Sequence, residues 1–214
     1  MKDHFISVDQ ARYDTFIVAK YLDNDTANTT KSSYTTNLTS DTIFTRDDAC
    51  TSDEKVDRLT RELNIHYRAC IWSLIYLLST RVDLSFAVHK LAKFSSNPGK
   101  VTFEGLVHLL RYIIDNNTLG LKYYADRKDA PLSELLRQAN INTNNLFMVW
   151  SDYSWQDFPN TGRITGAYII FYKGGKIDYG TYVLGPVAQP GAESEYNTAW
   201  NSWMNSAHFR MLIN

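Results

Sequence analysis

Very little in this chain is suited to cross-linking by sulfur or metal. Cys50 and Cys70 are the only cysteines in 214 residues. With no C-x-x-C pair and no matching histidine pattern, they argue against both a disulfide framework and a finger-type zinc site, and read as reduced thiols of an intracellular protein. Charge of one sign is also missing: 22 Lys plus Arg stand against 23 Asp plus Glu. The molecule as a whole therefore lacks the basic excess of a dedicated nucleic-acid binder, and any such contact has to be local. No stretch approaches the roughly 18 apolar residues of a membrane span, and Met1-Lys2-Asp3-His4-Phe5 opens without the apolar core of a secretory signal. A soluble chain with no membrane partner is expected, and the sequons at Asn28, Asn37 and Asn116 carry no weight in it.

What the sequence does hold is apolar material for a real core, 44% hydrophobic, and a change of pattern along its length that fits two small domains better than one. Residues 5–22 carry Phe5, Val8, Tyr13, Phe16, Ile17, Ala19 and Leu22 at spacings that predict a short strand and then an amphipathic helix. From 24 to 57, Thr, Ser, Asn and Asp crowd out core residues and predict a long connector, with order returning near Glu62. Residues 67–78 are almost continuously apolar and predict a buried helix. Asp83 stands where it could cap a second helix, with Leu84, Ala87, Val88 and Leu91 inward and a stop at Asn97-Pro98-Gly99. Thr102 stands likewise before a third, with Phe103, Leu106, Val107, Leu110, Ile113 and Ile114 inward. Trp72, Tyr76, Phe86 and Phe103 read as core. A strand is predicted over 119–125, then a polar connector over 126–145 with a short helix near 132–137.

The final segment follows different rules. Residues 146–150 predict a strand, 165–172 a second with Ala167, Ile169 and Phe171 alternating against Tyr168 and Ile170, and 177–184 a third. Gly174-Gly175 supplies the positive φ angles of a tight hairpin. Beyond Pro186, Pro190 and Gly191 a helix is predicted over 192–213, with Tyr196, Ala199, Trp203, Ala207 and Met211 or Leu212 on one face. This order brings Asp152, at the end of the first strand, and Glu193 or Glu195, in the first helical turn, toward one small volume. Magnesium is held in this manner, by oxygen ligands that include one or two carboxylates, with positions left for water and substrate phosphate. Plainer roles suit the same residues: an aspartate at a strand end accepts backbone hydrogen bonds, and glutamates in a first turn favour the helix dipole whatever the function.

The motifs resemble those of copia-type LTR retrotransposon Pol polyproteins, in order and over nearly the whole chain. Residues 70–88, Cys-Ile-Trp-Ser-Leu-Ile-Tyr-Leu-Leu-Ser-Thr-Arg-Val-Asp-Leu-Ser-Phe-Ala-Val, resemble that family's G-S-L-x-Y-L-x-x-T-R-P-D-I-x-F-A-V segment. Phe94-Ser95-Ser96-Asn97-Pro98 and Leu109-Leu110-Arg111-Tyr112-Ile113 resemble its F-x-x-x-P and I-L-R-Y-L segments. Ser151-Asp152-Tyr153-Ser154-Trp155, Thr165-Gly166-Ala167-Tyr168, Gly174-Gly175 and Ala192-Glu193-Ser194-Glu195-Tyr196 resemble S-D-A-D-W, S-T-S-G-Y, G-G and A-E-A-E-Y. The resemblance implies the C-terminal, thumb-like part of a reverse transcriptase running into the start of a ribonuclease H domain. It further implies that Asp152 and Glu195 are catalytic carboxylates and magnesium ligands, in a parent protein that cleaves the RNA strand of RNA–DNA hybrids by two-metal phosphodiester hydrolysis. A location in a cytoplasmic particle or the nucleus comes with it; oligomeric state does not. Departures are Val82 for proline, Ile164 for a small polar residue and Gln189-Pro190-Gly191 for Leu-Ser-Ser. The family's Tyr-x-Asp-Asp polymerase hairpin is expected upstream of Met1, and Asp47-Asp48 lacks the flanking strands to replace it.

The fold expected is therefore α+β. Residues 1–23 would end the reverse transcriptase palm, 24–60 form the polar connector, 61–125 a helical thumb or connection-like subdomain and 126–145 a linker. Residues 146–214 would form a truncated ribonuclease H-like mixed sheet, as strand, hairpin and helix. Lys90, Lys93, Lys100 and Arg111, with Lys122, His89 and His108 nearby, are candidates for sequence-independent, salt-sensitive phosphate contacts. A solvated helix face accounts for the same residues.

Overall fold

The computed structural model describes residues 5–22, 44, 46–124, 137–138, 147–158, 163–172, 175–184 and 192–213. These form a mixed α+β chain, with six α-helices among the described residues and two small sheets. It divides into two compact units, residues 8–120 and residues 1–7 with 121–214. Most of the 24–60 connector, the short helix expected near 132–137 apart from residues 137–138, the Gly174 turn and residues 185–191 lie outside the described residues.

Residues 8–120 are the helical unit. It contains α1 (Ala11–Tyr21), α2 (Asp53–Leu63), α3 (Tyr67–Leu77), α4 (Ser85–Ala92) and α5 (Lys100–Asp115), with 3₁₀ turns at Arg46–Asp48 and Val82–Leu84. The inward residues predicted by helical periodicity form its core: Ile17, Ile71, Leu74, Leu84, Ala87, Leu91, Phe103, Leu106, Leu110 and Ile113 are all buried, joined by Ile65 and Leu109. Full burial of each larger side chain contributes about 1.5–3 kcal/mol. The Tyr67 ring meets Phe103 edge-on at 5.0 Å, and its hydroxyl donates to the Leu91 carbonyl at 2.9 Å, so α3, α4 and α5 are tied at one point.

Several elements depart from what the sequence predicts. The connector ends early, because α2 starts at Asp53. Asp53 and Glu54 occupy its first turn, where the helix dipole favours them, and Arg58 pairs with Glu62 one turn on at 3.8 Å. None of its residues is buried, so apolar periodicity had little to register. Neither expected cap is a cap. Asp83 lies within a 3₁₀ turn and holds Arg81, while α5 opens on the extended residue Gly99, to whose carbonyl the buried Thr102 hydroxyl donates at 2.8 Å. Trp72 and Tyr76, read as core, stand 63% and 62% exposed.

The second unit pairs β1 (Phe5–Val8) with β2 (Leu121–Tyr124) and contains a separate antiparallel meander of β3 (Phe147–Phe158), β4 (Arg163–Tyr172) and β5 (Gly175–Leu184) in that order. Its helix, α6 (Ala192–Ile213), packs against β3 and β4. Tyr123 on β2 donates to the Lys176 carbonyl at 2.9 Å and links the pair to β5.

The contact face of α6 is not the aromatic one. Thr198, Ser202 and Ser206, spaced by four, are buried, whereas Tyr196, Trp200, Trp203, Met204 and Met211 are exposed. Small side chains let the helix approach closely. Ser202 and Ser206 satisfy their hydroxyls on helix carbonyls at 2.7 Å, whereas the buried Thr198 hydroxyl takes no hydrogen bond from any described residue.

Registration of the meander rests on two crossed tyrosine–glycine pairs. Gly166 is opposite Tyr182 and Tyr168 opposite Gly180. A Cβ on Gly166 would lie 2.8 Å from the Tyr182 ring, which is therefore laid flat over the glycine. From there its hydroxyl donates to the Thr198 carbonyl of α6 at 3.1 Å. Gly166→Ala is expected to swing the ring aside and cost about 1–3 kcal/mol, as overpacking does. The same change in a Tyr182→Ala background should cost almost nothing. Urea denaturation of the four proteins of this cycle measures the coupling, and equal costs in both backgrounds would refute it.

Candidate functional site

Asp152 is not at a strand end. The strand expected over 146–150 continues to Phe158, and Asp152 sits mid-strand opposite Ala167, which is opposite Thr181. Pairing with β4 supplies the backbone hydrogen bonds, and a polar side chain on an open face costs the strand little. The carboxylate is exposed, and Oδ1 accepts the Tyr153 amide at 2.8 Å. Glu195 lies exposed in the first turn of α6; the side chain of Glu193 lies outside the description.

Strand alternation bears on whether the two can converge. Asp152, Ala167 and Thr181 share one face, while Gly166, Tyr168 and Tyr182 share the other. Tyr182 makes its hydrogen bond to α6 from that second face. Among the described residues there is no group of three or more His, Cys, Asp or Glu side chains placed to hold a metal ion.

The four candidate cations are dispersed in role. Lys90 lies over the Phe86 ring, 4.6 Å from its centre, and Lys100 pairs loosely with Glu104 at 3.9 Å. Arg111 is half-buried beside a cleft of about 410 Å³, with Tyr21, Leu22 and His108 in the same wall. Lys93 is half-buried just past α4.

The densest polar constellation is one the sequence reading passed over. Arg81 is 1% exposed. Its Nη1 donates to Asp14 Oδ2 at 2.7 Å, and Nε and Nη2 grip both oxygens of Asp83 at 3.0 and 2.8 Å. Tyr112 donates to Asp83 Oδ2 at 3.1 Å. One helical turn before Asp14, Gln10 Oε1 accepts the Thr80 hydroxyl at 2.6 Å. Thr80, Arg81 and Asp83 of the quoted motif therefore tie α1 to the α3–α4 corner and α5, and the guanidinium fork is used up in holding the fold. Burial pushes the Asp14 carboxyl up to about 6, with Arg81 opposing it; Oδ1 is buried and takes no hydrogen bond from any described residue. The signal was available as an aspartate on the apolar face of α1, between Tyr13 and Ile17, seeking a distant cation.

No family model matches the chain, and no solved structure matches it. It is 27% identical over 134 residues to the secreted RxLR effector protein 161 of Plasmopara viticola, covering 62% of this chain and 83% of that protein. It is 25% identical over 136 residues to the retrovirus-related Pol polyprotein from transposon RE1 of Arabidopsis thaliana. That alignment covers 64% of this chain and 8% of the polyprotein. The similarity to a transposon Pol polyprotein is thus distant and partial.

Proposed function

We propose that this chain is a piece of a copia-type Pol polyprotein in which a thumb-like helical unit precedes the opening of a ribonuclease H domain. Its own role is to bind RNA–DNA hybrid, and the parent polyprotein would cleave the RNA strand. The supporting observation is the order of elements along the chain, part of which is similar to the Pol polyprotein: a compact helical unit, then an antiparallel three-strand meander, then a long helix packed on its first two strands. Binding is favoured over hydrolysis by strand alternation. Asp152 lies on the face opposite Tyr182, the residue that bonds to α6, so a magnesium ion shared with Glu195 fits this arrangement poorly.

The test combines a gel shift with a cleavage assay on a labelled RNA–DNA hybrid, with and without magnesium. Retention that weakens as salt rises is expected, since phosphate contacts dominate such binding. Asp152→Asn and Glu195→Gln should leave that retention unchanged. RNA cleavage by the chain that disappears in both variants would reinstate the nuclease reading; absence of retention at low salt would end the binding one.

A further inference from the structure

We propose that the outer face of α1 and α3 is a stacking site for single-stranded nucleic acid, with bases on Trp72 and Tyr76 and phosphates on Arg68, Arg12 and Lys20. The proposal rests on the nucleic-acid reading above and adds a surface and a strand type that the candidate lysines did not supply.

The aromatic side chains there form a connected strip. Trp72 and Tyr76 lie one helical turn apart on α3, about 6 Å along the axis, and both are largely exposed. The Tyr13 ring meets Tyr76 edge-on at 5.0 Å and stacks on Phe16 at 6.0 Å, and Phe16 is itself 57% exposed. Two large exposed rings on one helix and a third on its neighbour are a substantial apolar outlay to leave in water.

Charge decides which occupant suits the strip. Arg68 stands one turn before Trp72; Arg12 and Lys20 stand one turn to either side of Phe16; all three are exposed. The one carboxylate on either helix is Asp14, buried on Arg81. Beside Trp72 opens a cleft of about 500 Å³ whose walls include Thr60, His66, Arg68, Ser95 and Ser96, with no carboxylate among its lining residues. Rings bordered by cations and hydroxyls complement a polyanion that carries flat apolar groups. In a duplex the base faces are covered by their own neighbours, whereas an unpaired strand can lay them on protein rings, with each such stack worth about 1–3 kcal/mol. Trp72 also stands where the family segment quoted above has glycine, so this ring is a property of the present chain.

Fluorescence anisotropy of a labelled oligo(dT) titrated with the full chain tests this. Affinity is expected to fall steeply between ~50 and ~200 mM salt. Trp72→Ala and Tyr76→Ala should each weaken binding about tenfold, Trp72→Phe should restore most of it, and Arg68→Ala should reduce the salt slope by about one. Trp203→Ala, at an exposed tryptophan on α6, should change nothing. Wild-type affinity in the Trp72 and Tyr76 variants overturns the proposal, and so does a loss of self-association in light scattering without loss of oligonucleotide binding. Hybrid binding that is indifferent to Trp72 would leave the Pol-fragment reading standing alone. Single-strand binding through Trp72 without hybrid binding would leave only the present one.

Discussion

Arg81→Ala lowers the stability of the helical unit by about 3–5 kcal/mol, the cost of leaving buried charge without its partner. Arg81 is the group that neutralises Asp14 and Asp83 together, and Asp14 is fully buried. Removing the guanidinium strands one carboxylate in the core and another at its margin, and leaves a cavity the size of a long side chain. Arg81→Lys should recover little, since an ammonium cannot present a planar fork to Asp83 while reaching Asp14. Because much of the loss comes from the charge left behind, pairing Arg81→Met with Asp14→Leu should restore a large part of the stability. Hydrogen exchange of the α5 amides against urea reports on this unit alone. Equal protection in Arg81→Ala and wild type would refute the argument.

The stability of wild type minus that of Asp14→Asn falls by about 2 kcal/mol as pH rises from about 4 to 7, as follows from a carboxyl at 3.8 in the unfolded chain and about 6 in the fold. The sign follows from burial. The fold holds the Asp14 proton more tightly than the unfolded chain does, so this group's favourable contribution is complete below 3.8 and is lost as pH climbs through 6. Asparagine keeps the shape and cannot titrate. Subtracting its stability at each pH also cancels the exposed carboxylates, which titrate alike in both proteins. Chemical denaturation at a series of pH values gives the curve. A difference that is flat, or that grows with pH, would mean that Arg81 outweighs burial at this site.

Much of the helical unit was readable in advance, because long apolar runs with a helical repeat can bury themselves in only one way. The bounds of α3 follow from its apolar run and the inward faces of α4 and α5 from the helical repeat, whereas α5 opens at Lys100, ahead of the start that Thr102 predicts. The charged helix α2 escaped notice since its stabilising contacts lie along its own surface. Asp14 and Arg81 escaped it for a different reason: a buried ion pair is 67 residues long in sequence and has no period. The α6 face misled because hydrophobicity ranked Tyr196 and Trp203 above Thr198 and Ser202, while close packing on the sheet selects small side chains.

The proposed nucleic-acid role divides in the same manner. The ordered Pol-like motifs and the types of Asp152, Glu195 and the basic residues are properties of the linear chain, since residue identity and spacing need no partner to be read. Strand pairing put Asp152 in mid-strand on the face opposite Tyr182, while helix packing buried Thr80 and Arg81, with Arg81 clamped between Asp14 and Asp83, and turned Trp72 and Tyr76 outward. Which face of an element meets solvent depends on what packs against its other side, and that is a contact between residues far apart in sequence.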